Sequence, residues 1–140
     1  MPSIFTRIIA GELPGRFVWK DDRAVAFLSI APMRPGHTLV VPRLEIDYWI
    51  DLEPDLAAHC FTVAREIGRA QQAVWQPRRI GLMIVGEEVP HTHLHVVPID
   101  DPGQLSFAHV DHAPDADTLD DAARRIRGAL SAAGCTQVSE

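Results

Sequence analysis

Apolar side chains recur along this chain with two periods, that of a helix and that of a strand. Residues 3–10 carry Ile4 and Ile8 four apart, with Phe5 and Ile9 beside them, which predicts a short amphipathic helix stopped by Gly11 and Pro14. Three extended segments follow at residues 17–20, 24–29 and 37–41, each rich in β-branched or aromatic residues and bounded by Asp21-Asp22, Pro32, Gly36 or Pro42. Over residues 54–74, Leu56, Cys60, Val63, Ile67, Ala70 and Val74 alternate steps of four and three, predicting one long helix with Pro54 in its first turn. Beyond Pro77, residues 80–85 and 91–97 predict two more strands, antiparallel neighbours joined through the polar Gly86-Glu87-Glu88 connection. Residues 100–117 show no period and are rich in Asp, Pro and Gly, as an irregular surface loop is. A last helix is expected from Thr118, with Asp121 three residues on as in a capping box, burying Leu119, Ala122, Ile126 and Leu130 before Gly134. The sum is one α+β domain over residues 1–140, with about five antiparallel strands and two main helices.

Composition changes the picture mainly by exclusion. With 46% hydrophobic and 23% charged residues, the chain can bury a core and is neither disordered nor collagen-like. No run approaches the roughly 18 apolar residues of a membrane span, and the opening residues lack the basic-then-apolar layout of a secretory signal, so a cytoplasmic location is expected. A net charge of -6 argues against nucleic acid or an anionic membrane as partner and leaves a small phosphorylated ligand open. Residues 80–123 contain no Lys or Arg at all, yet hold nine acids. Cys60 and Cys135 stand far apart without Cys-x-x-Cys spacing and read as plain thiols.

Candidate chemistry lies in His91-Thr92-His93-Leu94-His95. On a strand, side chains alternate between faces, so His91, His93 and His95 share one face while Thr92, Leu94 and Val96 take the other. Three rings half-buried in a row cost stability unless partners satisfy them, and sequences seldom carry that cost without a chemical use. Two purposes fit: ligation of zinc by imidazoles at alternate positions, or nucleophilic and acid-base catalysis. The isolated His59, His109 and His112 read as surface or structurally satisfied residues.

The string HTHLHVVP, preceded by SIFTRIIAGELPGRF and VAFLSIAPMRPGHTLVVP, resembles the histidine triad family of nucleotide-binding proteins over residues 3–98. That resemblance implies a homodimer whose two five-stranded sheets run on as one, and attack on the α-phosphate of a purine nucleotide or nucleotide conjugate. It implies that His93 is the nucleophile of a covalent nucleotidyl-histidine intermediate, that His95 meets the phosphate oxygens or leaving group, and that His91 and His37 support them. A neutral imidazole suits the first role, since its ordinary pKa of about 6.5 leaves most of it unprotonated near pH 7. By motif matching, Phe5, Ile8, Phe27, Ser29, Ile30 and Leu39 take the base and ribose positions, and Gly86, Glu88 and Val89 those near the phosphate. Flat rings at Phe5 and Phe27 suit a purine.

Three departures accompany the resemblance. Many relatives begin with Cys-x-x-Cys, which holds a structural zinc with histidines, whereas this chain has Ser3-Ile4-Phe5-Thr6. No metal and no cofactor is therefore expected. Ser29 stands where relatives carry an acid that grips both ribose hydroxyls. Glu87 and Glu88 replace neutral donors, and their charge disfavours a polyphosphate chain. Arg7, Arg16, Lys20, Arg34 and Arg43 are the available counter-charges. The alternatives to a hydrolase or transferase are a nucleotide-binding or regulatory module with little catalysis, and a metal-dependent hydrolase on the same histidines.

Overall fold

The computed structural model describes residues 1–139. Five strands, β1 (Phe17–Lys20), β2 (Ala24–Leu28), β3 (Thr38–Pro42), β4 (Arg79–Met83) and β5 (Leu94–Ile99), form one antiparallel sheet in the order β1-β2-β3-β5-β4. Helix α1 (Ile4–Ile9) precedes the sheet, α2 (Pro54–Trp75) lies between β3 and β4, and α3 (Ala116–Ala132) follows β5. This is the five-stranded α+β arrangement expected from the hydrophobic pattern. No helix among the described residues is long and apolar enough to cross a membrane.

Period two sorts the strands onto two faces, except in β1, where a register shift between Phe17 and Trp19 puts these two residues on opposite faces. Trp19, Ala26, Val40 and Leu94 are paired in register across β1, β2, β3 and β5, and with Val96 they pack beneath Leu56, Cys60, Val63 and Ile67 of α2 and Leu119, Ile126 and Leu130 of α3. The other row, Phe17, Phe27, Leu39, His95 and Met83, crosses all five strands in register. Phe5 of α1 and Phe17, Phe27 and Leu39 of that row share a smaller apolar cluster. One face thus carries the helical core, and the opposite face carries the histidines.

Several element boundaries differ from the expected ones. Helix α3 begins at Ala116, because the Asp115 side chain accepts from the Asp117 N–H and caps the helix before Thr118 can. In α1 the buried residue is Phe5, while Ile4 is 47% exposed and turned with Ile8 toward an open cleft. Strand β5 starts at Leu94 rather than His91: both the Thr92 N–H and hydroxyl donate to the Ile46 carbonyl, which draws that segment off the ladder. Strand β4 covers 79–83 rather than 80–85, and residues 100–117 contain two short 3-10 turns, Pro102–Gln104 and Phe107–His109.

The two sheet edges are unlike. Along β1, the Lys20 N–H donates to the Gln137 carbonyl and Trp19 bridges to Val138, so the C-terminal segment covers that edge. Strand β4 has no further strand beside it among the described residues.

Candidate functional site

Each histidine is held by a different part of the fold. His37 follows Gly36, whose φ of +89° and close approach to the Trp75 ring leave no room for a Cβ. The Gly36 carbonyl accepts from the Thr38 hydroxyl and from the Gln71 amide, which also donates to the Val96 carbonyl. Gln71 is fully buried on α2 and so ties the turn before β3 to strand β5. His37, His91, His93 and His95 are all buried.

Hydrogen-bond partners fix which ring nitrogen carries each proton. The Met33 N–H donates to His37 Nδ1 at 3.0 Å, so neutral His37 holds its proton on Nε2 and donates it to His95 Nδ1 at 2.9 Å. Neutral His95 is thereby left with its own proton on Nε2. His93 Nδ1 lies 2.7 Å from the His91 carbonyl, which can only accept, so His93 carries its proton there and leaves a lone pair on Nε2. A lone pair and an N–H donor therefore stand side by side, on rings whose centroids are 4.9 Å apart.

His91 is closed off instead. Its Nε2 donates to the Pro42 carbonyl at 2.8 Å and its Nδ1 accepts from the Ser3 hydroxyl at 2.7 Å. The Ser3 N–H and the Thr6 hydroxyl both donate to Glu45, each at 2.6 Å, and these bonds hold its carboxyl below the usual carboxylate range. Ser3 and Thr6 occupy the two positions where the resemblance implies cysteines around a structural zinc. Hydroxyls already committed to hydrogen bonds do not fit a thiolate zinc site.

Burial pushes the His37 imidazole down to about 3, helped by repulsion from His95 and His93. Burial, with repulsion from His93, takes His95 down to about 4, against an opposing pull from Glu88. Both rings stay neutral at physiological pH, as their shared proton chain requires.

The two free Nε2 atoms open into a cleft of about 950 Å³. Phe5, Ile8, Phe27, Ser29, Ile30, Leu39, Glu88, Val89, His37, His93 and His95 line it, so most of the candidate residues come together. His91 and Gly86 do not line it; Gly86 makes a positive-φ turn with open space around it. The Ser29 hydroxyl accepts from the Ala31 N–H, which partly commits it to the local turn. Phe5 packs edge-on against both Phe27 and His93.

Other wall residues were not legible in the chain. Phe107, from the second 3-10 turn, packs edge-on against His95 at 5.4 Å, and Val110, His112 and Asp120 also line the cleft. Arg16 also lines the cleft, paired with Asp120 at 2.7 Å. Of the isolated histidines, His59 bonds Asp21 at 2.8 Å, a structural tie between α2 and the β1–β2 turn, whereas His112 belongs to the cleft.

Glu88 reaches His93 Nε2 and His95 Nε2, with a different carboxylate oxygen 3.6 Å from each. These three residues offer donor atoms within 4.8 Å of one another, the spacing of a metal site. The proton chain from Met33 argues against that use, because a neutral His95 in this tautomer has no lone pair on Nε2 to give. The zinc-ligation reading of the three histidines is further weakened by His91, whose nitrogens both point elsewhere.

Known proteins place this geometry in a family. A HIT domain model matches residues 10–101. Protein hit of Bacillus subtilis is 35% identical over 102 residues, spanning 68% of this chain and 69% of its own. An uncharacterised HIT-like protein of Mycobacterium tuberculosis is 34% identical over 113 residues, spanning 77% and 78%. Among solved structures, a Hit-like protein from Bartonella henselae superposes with a TM-score of 0.80 at 26% identity, covering 91% of this chain and 95% of that one. A zinc-bound histidine triad family protein from Mycobacterium smegmatis has a TM-score of 0.80 at 28% identity, covering 94% of each. Domain, relatives and architecture agree, and the chain belongs to the histidine triad (HIT) family, whose members are generally nucleotide-binding hydrolases or transferases.

Proposed function

We propose that the protein hydrolyses purine nucleotide conjugates at the α-phosphate through a covalent nucleotidyl intermediate on His93. The observation that carries this is the pair of proton-defined nitrogens, a lone pair on His93 Nε2 beside a proton on His95 Nε2. His93 Nε2 forms a bond to phosphorus while the bond to the leaving group breaks, and the leaving group takes a proton from water. His95 donates a hydrogen bond to a phosphoryl oxygen, where charge builds up, and keeps its proton. A second water then displaces His93, releasing the nucleoside monophosphate as its dianion together with two protons, one of which neutralises the hydroxide left by the first step.

The apolar slot of Phe5, Ile8, Phe27, Ile30 and Leu39 suits a flat base, with Ser29 near the ribose. Among the five basic residues available to neutralise a phosphate chain, Arg16 alone lines the cleft, and it is already paired with Asp120. Arg34 pairs with Asp100, Arg43 bonds the Asp21 carbonyl, and Lys20 sits over the Phe17 ring. That distribution favours a phosphoramidate or a similar single-phosphate conjugate over a dinucleoside polyphosphate. The free edge of β4 supports a homodimer joined there into one continuous sheet.

Glu88 favours a second reading, a binding module with little turnover, since a carboxylate stands against the reacting pair. Rapid mixing with an adenosine phosphoramidate, alkaline quench and mass spectrometry separates the two. A nucleotidyl adduct on His93, lost in His93→Ala, is the expected result. Nucleotide binding without adduct or turnover would assign the module instead.

A further inference from the structure

Glu88 has no part in the reaction just described, yet its carboxylate occupies the approach to it. Its two oxygens stand 3.6 Å from His93 Nε2 and from His95 Nε2, beyond hydrogen-bond length. His95 Nε2 is buried and has no hydrogen-bond partner among the described residues. A phosphoryl group that met both nitrogens would put its oxygens into the same volume. The Glu88 side chain is 38% exposed, on the connection between β4 and β5, so it can turn toward water as a ligand enters. Turned aside, its carboxylate stays tethered to the wall of the cleft, where it can act on a phosphoryl group through charge. The only guanidinium on the cleft wall among the described residues, Arg16, is held by Asp120.

Charge repulsion scales with the charge of the ligand. The α-phosphate of a phosphoramidate or diester carries one negative charge, whereas a phosphate monoester, with its second pKa near 6, carries almost two at neutral pH. The same carboxylate therefore penalises product more than substrate. We infer that Glu88 is a charge-selecting residue, which admits a monoanionic phosphoryl group, disfavours dianionic nucleoside monophosphates and so speeds release of the product. This inference rests on the reading of the cleft as a nucleotide hydrolase.

Calorimetric titration of the full chain at about pH 7.5 tests it, with adenosine 5′-monophosphate as the dianion and its methyl ester as the monoanion. The guanosine pair is run alongside. In the wild type the ester is expected to bind more tightly than the monophosphate. Glu88→Gln and Glu88→Ser should each tighten the monophosphate about 10-fold and the ester less than about 3-fold, so that discrimination collapses. A discrimination unchanged in both variants, or equal weakening of both ligands as a merely structural role would give, overturns the inference and leaves the hydrolase reading standing. If none of the four ligands binds the wild type, the nucleotide reading itself fails, and the charge selection with it.

Discussion

Two carboxylates in this molecule stand next to histidines, and their surroundings are opposite. Glu45 accepts from the Ser3 N–H and the Thr6 hydroxyl, and through Ser3 it closes a ring of bonds around His91. Among the described residues Glu88 accepts nothing at hydrogen-bond distance and leaves two imidazole nitrogens unspent. Satisfied groups of the first kind hold a segment in place. Unsatisfied groups of the second kind keep free energy in reserve for a ligand. His91 therefore reads as a residue that positions His93 through its carbonyl, although the three histidines are equivalent in the sequence pattern.

The largest effects are expected from removing histidines of the open side, the smallest from loosening the closed one. His93→Ala is expected to lower kcat by about 10³-fold or more with fold and nucleotide affinity kept, because the proposed nucleophile is lost. Steady-state kinetics beside a thermal melt checks it, and activity surviving the change sinks the assignment. His37→Phe acts at one remove: without its Nε2 proton, His95 is free to take the other tautomer, and kcat should fall about 10- to 100-fold. The acid limb of the pH–rate profile should rise at the same time, a shift that a packing defect alone would not produce.

Acid should expose the open side of the site in the stability of the whole chain. His37 and His95 titrate at about 3 and about 4 when folded, below the ordinary 6.5 that they regain on unfolding. The unfolded chain thus binds more protons below pH 6.5, and stability falls as pH drops from there toward 4. A loss on the order of a few kcal/mol is expected, read from urea midpoints at intervals across that range. A flat profile would mean that the rings are solvated. Ser3→Ala should give the smallest effect, a loss of about 1 kcal/mol from the α1 cap and the His91 bond, with kcat changed less than that by His37→Phe.

How far the chain could be read depended on the range of the interactions involved. His95 was legible from strand period and motif, Phe27 and Leu39 from the motif alone, and the register aligns all three across the sheet. Asp115 was missed as the cap of α3 because Thr118 and Asp121 offered a competing pattern three residues later. Gln71 looks like one more polar residue of a long helix, and nothing local says that it is buried between Gly36 and Val96. Phe107 and His112 reach the cleft from a loop without periodicity, through contacts set by tertiary packing. The presence of Glu88 near the site could be read from its place before the motif; its aim at both nitrogens could not.

The covered edge of β1 has a consequence for assembly. A sheet with two bare margins can add neighbours on either side without end, and in that way fibres grow. Here residues 137–139 cover one margin, so among the described residues β4 is the margin left for strand addition. Two chains paired along β4 would leave no bare margin among the described residues on which a third could add.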